Sequence, residues 1–261
     1  MAHIDLTIDI ETIPDQNPEA LKNIAEKMEF KAPSALGKNE AYDQLIAANL
    51  STEDEMLGMD KNAVVALWAE RFAPSKKLEA AHAEWLKTSF DGAFGQIAVI
   101  GWKINNNPAK SIMRNSPESS DEIDLLKRFN AELKKDLAEA KGESKTTPKI
   151  KLIGHYAESF DFPFLFKRHV ICGVKPCIDF QPSRYSEDLF DTCTKWAGFQ
   201  GRIKLDTLCK VLGIPSPKEN GLDGSKVWEY VQNGRIAEVA EYCEGDVEST
   251  HAVYKRLTFQ G

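Results

Sequence analysis

The sequence reads as an α/β protein with a mixed central sheet flanked by helices and a long helical insertion between the first two strands. Three patterns carry that reading. Apolar residues alternate at Ile4, Leu6, Ile8 and Ile10, the period of a strand with one buried face. Strand character resumes far downstream in Gln96-Ile97-Ala98-Val99-Ile100-Gly101-Trp102. Near the carboxyl end, Ile236, Val239, Ala240, Cys243, Val247, Thr250, Val253 and Leu257 recur mostly every three or four residues, as on one side of a helix.

The elements follow in order. A structureless connection of roughly 75 residues is improbable in a compact domain, so the segment 16–92 is expected to fold as helices of its own. Helical character runs through Ala20–Phe30, Asn39–Leu50, Lys61–Phe72 and Lys76–Thr88, with Pro33, Pro74 and Gly92 as punctuation. Trp68 and Trp85 are expected to anchor these helices. The chain 1–261 then forms a single domain carrying the insertion 16–92, whose surface is a place for a protein partner. After the second strand, a turn at Asn105-Asn106-Asn107-Pro108 leads into Ser111-Ile112-Met113. Leu125, Phe129, Leu133 and Leu137 mark a helix that ends before the polar loop Gly142–Pro148. Lys149–His155 is a further strand, and a helix starting near Ser159 places Asp161 in its first turn. The last helix begins after Gly234, with Tyr242 and Asp246 four apart on one face.

Composition bounds the function. The chain carries 33 Lys and Arg against 40 Asp and Glu, a net charge of −7, which speaks against stable duplex binding through a basic face. No apolar run approaches the roughly 18 residues of a membrane span, and Met1 opens no signal sequence, so a soluble cytoplasmic protein with no membrane partner is expected. Cys172, Cys177, Cys193, Cys209 and Cys243 are odd in number and lack a Cys-x-x-Cys pair, the pattern of reduced buried thiols rather than a zinc site.

The acids carry the chemistry. Asp9 and Glu11 alternate with the isoleucines, so on a strand they share the opposite face, where two carboxylates repel unless a cation or solvent compensates them. Asp161 and Asp246 come from separate elements, as a surrounded ion requires. Hard cations prefer such oxygen ligands. Each pattern alone is common on solvated surfaces; their order, spacing and flanking residues together are not.

In these motifs the chain resembles the DEDD-type 3′-to-5′ exonucleases of the ribonuclease H-like superfamily. The residues are Asp9-Ile10-Glu11, then Phe160-Asp161 followed by Pro163 and Leu165, then Tyr242-x-x-x-Asp246. The other branch of the family has histidine five residues before the last aspartate, where this chain has Glu241, so the likeness is to the tyrosine branch (DEDDy). Glu11-Thr12-Ile13-Pro14-Asp15, Leu212-Gly213-Ile214-Pro215 and Asp223-Gly224-Ser225-Lys226-Val227 narrow it to predicted exonucleases related to the proofreading domain of family B DNA polymerases. One position departs: Tyr156 stands where the family usually has asparagine, which alters how the terminal nucleotide is held.

The resemblance implies a ribonuclease H-like fold and two divalent ions, Mg²⁺ or Mn²⁺, roughly 3.5–4 Å apart, that activate water and stabilise the leaving 3′ oxygen. Asp9 would bridge the ions, with Glu11 and Asp246 completing the first, Asp161 holding the second, and Tyr242 orienting the attacking water. The implied substrate is the 3′ end of single-stranded nucleic acid, DNA before RNA. Thr12 and Ile13, Tyr156, Phe160 and Lys226 are the candidate substrate contacts, the last at a helix start that offers amides to a phosphate or is a plain capped turn. Lys149, Lys151, Lys167, Arg168, Lys195, Arg202, Lys204 and Lys210 are candidate cations near the motifs. His155 and His251 read as structural. The alternatives are an RNA-specific exonuclease and a binding or scaffold module that has lost turnover.

Overall fold

The computed structural model describes residues 3–28, 34–116, 119–143, 148–182, 186–198, 200–216 and 222–260. The expected punctuation at Pro33, the end of the Ala20–Phe30 segment and the middle of the Gly142–Pro148 loop lie outside them. By its contacts the chain forms two compact units, 17–87 and the remainder, 1–16 with 88–261.

In the larger unit, β1 (His3–Ile13) is the middle strand of a five-stranded sheet among the described residues. It pairs antiparallel with β2 (Gln96–Ile104), which pairs antiparallel with β3 (Lys110–Met113). On its other side it pairs parallel with β4 (Lys149–Gly154), and β4 pairs parallel with β5 (Leu189–Asp191). The sheet is therefore mixed.

The alternation of β1 sorts its side chains onto two layers. Ile4, Leu6, Ile8 and Ile10 join a core with Leu125, Phe129 and Leu133 of α6 (Ser119–Lys141) and Phe162, Phe164 and Leu165 of α7 (Asp161–Ile171). On the other face, Ile13 packs with Val239, Ala240 and Cys243 of α11 (Ile236–Leu257) and Val227 of α10 (Val227–Gln232). β2 breaks the alternation. Glu11 pairs with Val99 but Thr12 with Ile97, so Ala98 is an extra residue and the strand carries a β-bulge. Ala98 and Val99 consequently face α11 together, while Ile97 and Ile100 face the opposite core.

The helix α11 runs down β1 residue by residue. The Tyr254 hydroxyl reaches Asp5 Oδ1 at 3.3 Å, His251 Nδ1 lies 2.9 Å from Thr7 Oγ1, and Cys243 Sγ lies 3.4 Å from Asp9 Oδ2. From Asp5 to Asp9 the strand covers about 13 Å and from Tyr254 to Cys243 the helix covers about 16 Å, so the two elements stay side by side over this stretch. Gly101, paired with Asp9 on β2, makes this approach possible: a Cβ there would lie 2.7 Å from Cys243 Sγ and 3.1 Å from Val247 Cγ2.

Two shorter helices, α8 (Thr192–Ala197) and α9 (Leu205–Leu212), follow β5. The Leu-Gly-Ile-Pro segment ends α9. Gly213 is left-handed (φ 68°), its N–H donates to Lys210 O at 3.4 Å, and the Ile214 N–H donates to Cys209 O at 2.9 Å, a Schellman close that only glycine adopts without strain.

The smaller unit contains α1 (Ala20–Lys27), α2 (Lys38–Ala47), α3 (Glu53–Met56), α4 (Lys61–Arg71) and α5 (Ala73–Lys87). Its own core includes Leu45, Met56, Val64 and Trp68. The Trp68 indole N–H donates to Gln44 Oε1 at 2.7 Å, which satisfies the polar tip of a buried ring. Trp85 is only half-buried and lies against His82. Pro74 sits in the first turn of α5, where its missing N–H costs nothing. Among the described residues, no helix is long and apolar enough to cross a membrane.

The Gly101 contact predicts that Gly101→Ala lowers stability by about 1–3 kcal/mol in urea unfolding. Adding Cys243→Ala should recover part of that loss, because it removes the nearest obstructing atom. Strictly additive losses in the double variant would show that the approach of α11 is not limited at this point.

Candidate active site

The odd-numbered face of β1 carries Asp9 and Glu11 toward α11, which supplies Asp246. One ligand oxygen from each of the three acids lies within 4.8 Å of the others. Glu11 is buried, and Asp9 and Asp246 are half-buried.

Asp161 comes from the opposite layer, as the first residue of α7. It is buried, and its Oδ1 accepts the Ile10 N–H at 3.0 Å. The parallel pairing of β1 with β4 ends at Thr7 and Ile153. β1 thus outruns its neighbour, and the Asp161 carboxylate takes up an amide at the uncovered part of the strand. It is not one of the three acids that converge most closely, yet among charges its carboxylate acts most strongly on Asp9.

The electrostatics follow from this crowding. Burial first, then the charges of Asp161, Asp246 and Glu11, hold the Asp9 carboxyl well above the usual carboxylate range; only the Cys243 hydrogen bond opposes them. Burial also pushes Asp161 up to about 7, against the amide bonds that favour its charged form. Among the described residues, the groups acting on Asp9 include no cation. A cluster of carboxylate oxygens of this kind has the chemistry of a hard divalent cation site, and the four carboxylates fit it.

Tyr242 is half-buried beside the acids, and its hydroxyl hydrogen-bonds the Asp246 carboxylate one turn away. Burial, followed by the charges of Asp246 and Glu11, raises its phenol far above the ordinary value, so it stays protonated and donates. The neighbouring Cys243 thiol, buried, donates to Asp9 Oδ2 at 3.4 Å and lies 3.5 Å from Asp9 O.

The substrate candidates are placed unequally. The Ile13 side chain is fully buried in the core under α11, which leaves only its backbone for a ligand. The Thr12 hydroxyl donates to Ser89 O at 2.7 Å. Phe160 is half-buried, packs on the main core and lies 5.6 Å from the Phe164 ring. Lys226 is exposed at the end of a short turn, Gly224–Lys226, but the Ser225 N–H that a phosphate would need is taken at 2.9 Å by Asp223 Oδ1. The cap there is the aspartate, not the serine. Tyr156 is half-buried with a left-handed backbone (φ 62°), and the Arg202 guanidinium lies over its ring.

Two cations named from the sequence are engaged by carboxylates of the chain. Arg168 is buried, and its Nη2 and Nε reach the buried Glu122 at 2.6 and 3.0 Å while its Nη1 donates to Gly92 O at 3.2 Å. This pair locks α7, and so Asp161, onto α6. Lys167 pairs with Asp91 at 2.6 Å. Both histidines are internal: His155 Nε2 donates to Ile203 O at 2.8 Å, and burial lowers His251 to about 4.

The sequence did not reveal Asp191. Buried at the end of β5, it accepts N–H groups from Tyr156 at 3.1 Å, Glu158 at 3.0 Å and Thr194 at 3.0 Å. One carboxylate therefore caps α8 and shapes the loop that delivers Asp161. Its only sequence signal was an aspartate three residues before a threonine at a helix start.

The Asp161 shift has a definite sign. A carboxyl whose folded pKa is raised contributes most stability below the unfolded value of about 3.9, and that contribution is lost as pH rises to about 7. In chelator, thermal unfolding should therefore show a lower midpoint at pH 8 than at pH 5, and Asp161→Asn should shrink the difference. An unchanged difference in that variant would show that Asp161 is not held protonated.

Comparison with known proteins bears on the fold and the family. A solved family B DNA polymerase from the hyperthermophilic archaeon Pyrobaculum calidifontis matches 99% of the chain with a TM-score of 0.52 at 14% identity, a likeness of fold. The chain spans only 25% of that polymerase. No curated protein sequence matches it. The sequence model described as a predicted 3'-5' exonuclease related to the exonuclease domain of PolB matches residues 111–261, a segment that holds Asp161, Tyr242 and Asp246. The chain belongs to this family of predicted 3'-5' exonucleases related to the exonuclease domain of PolB.

Proposed function

We propose that the chain is a metal-dependent exonuclease of the tyrosine branch, removing nucleotides from the 3′ end of single-stranded nucleic acid, DNA before RNA. In this reading 17–87 is a helical insertion in one exonuclease domain. The observation that carries the proposal is the convergence of Asp9, Glu11 and Asp246 within 4.8 Å, with Asp161 beside them and, among the described residues, no cation in the groups acting on Asp9.

Asp9, Glu11, Asp161 and Asp246 would hold two ions, Mg²⁺ or Mn²⁺, whose chemistry is to lower the pKa of water and stabilise charge on the leaving oxygen. The chain's own residues prepare that centre. The Cys243 thiol and the Ile10 amide fix the carboxylates of Asp9 and Asp161 in orientation. The Tyr242 phenol, raised in pKa and already donating to Asp246, suits orienting a water rather than removing its proton. The β-bulge beside Glu11 bends the sheet where the strand end must approach a nucleotide.

End-labelled single-stranded DNA and RNA, incubated with Mg²⁺ or Mn²⁺, tests this. Stepwise shortening from the 3′ end is expected, abolished by chelator and by Asp9→Ala. Internal fragments, or equal activity in that variant, would sink the mechanism. Tyr242→Phe removes one hydrogen bond to a charged group, worth about 1.5–3 kcal/mol, so its rate should fall roughly 10- to 100-fold with metal affinity nearly unchanged. A metal-binding defect as deep as that of Asp9→Ala would contradict the orienting role.

A further inference from the structure

Arg202 is placed unlike Lys149, Lys167 and Arg168. Lys149 lies 3.9 Å from Asp188, Lys167 is paired with Asp91, and Arg168 is buried against Glu122. Arg202 is exposed, and its guanidinium carbon sits 4.6 Å from the centroid of the Tyr156 ring, with no ion pair to it among the described residues. A guanidinium stacked on an aromatic face loses little more freedom on binding, and its in-plane N–H groups stay open to a phosphate.

The loop that carries it is built to hold it there. The Gly201 N–H donates to Gly198 O at 3.0 Å, and a Cβ on Gly201 would lie 2.1 Å from Ala197 O, so the turn admits no side chain at that position. The next residue, Ile203, accepts the His155 Nε2–H at 2.8 Å through its carbonyl. Consecutive residues His155 and Tyr156 thus bind consecutive residues Ile203 and Arg202. Asp191 fixes the Tyr156 end through its amide.

Topology puts the pair beside the acids. β1, β4 and β5 are parallel, so their carboxyl ends share one edge of the sheet. β1 carries Asp9 and Glu11 toward it, β4 runs on into Tyr156 and Asp161, and β5 ends at Asp191. Ligands of parallel sheets bind at this edge. A polyanion approaching four carboxylates on a chain of net charge −7 needs a fixed cation at the rim.

We propose that Arg202, braced on Tyr156, is a substrate-positioning residue that grips the phosphodiester backbone of the single strand entering the site. The inference rests on the exonuclease reading. In it, the tyrosine at position 156 serves as the platform for a backbone contact, where an amide would have made hydrogen bonds directly.

Binding of fluorescein-labelled single-stranded oligonucleotides to the full chain in chelator, measured by anisotropy across a salt series, tests it apart from turnover. Arg202→Ala should weaken binding about tenfold and reduce the salt slope by about 0.7, the loss of one phosphate contact. Arg202→Lys should keep the slope, Tyr156→Phe should match the unmodified chain, and Tyr156→Ala should weaken binding as Arg202→Ala does. Lys141→Ala, which removes an exposed charge elsewhere, should leave the slope unchanged. With Mg²⁺ present, Arg202→Ala should raise KM by a similar factor and change kcat by no more than about twofold, since its contact lies away from the reacting bond. A wild-type slope in Arg202→Ala, with 3′-end degradation by the unmodified chain intact, overturns the role of Arg202 and leaves the exonuclease reading standing. An unmodified chain that neither binds nor shortens single strands overturns both.

Discussion

Like-charge repulsion among carboxylates is the constraint around which the larger unit is organised. Two like charges about 4 Å apart cost on the order of 4 kcal/mol at an effective dielectric near 20. The whole net stability of a domain is only about 5–15 kcal/mol. Asp9, Glu11 and Asp246 converge within 4.8 Å, with Asp161 adding to the field at Asp9. Such a group persists only with protons or cations in it, and burial together with mutual repulsion holds the Asp9 and Asp161 carboxyls above the usual carboxylate range.

Holding the acids against that repulsion requires a stiff frame. β1 is paired on both sides, and the isoleucines of one face and the contacts of α11 on the other prevent it from turning. The absent side chain at Gly101 lets α11 come close enough for the Cys243 thiol to touch Asp9. α7 is held from two ends, by Asp161 on the Ile10 amide and by Arg168 in the buried pair with Glu122. A buried pair of this kind contributes little to stability compared with an apolar pair of equal shape, but removing one partner is costly, which makes it a geometric lock.

The charges divide accordingly. Arg168 and Lys167 are engaged by carboxylates of the chain, whereas Arg202 stands exposed on Tyr156. In the proposed exonuclease reading, the local field at one sheet edge matters more than the net charge, and a weak grip on a short single strand fits such a rim better than stable duplex binding would.

Local signals in the sequence determined a large part of this. The two-residue alternation of β1, the three- and four-residue spacing of α6 and α11, and the helices α1, α2, α4 and α5 were legible because each depends on neighbours within a few positions, whereas the four-residue α3 was not. So was the common face of Asp9 and Glu11 on β1, which the structure brings within 4.8 Å of Asp246. Four features were decided only by the tertiary structure. β5 is three residues long, too short to show a period, and Asp191 acquires its role from amides some 35 positions away, as the Tyr156 bond shows. Ala98 was extra only relative to its partner strand. Arg168 looked like a surface cation until Glu122 was brought to it. In each case the outcome hung on which distant segment came to lie alongside, and pairing across such separations leaves no mark on the local pattern of either segment.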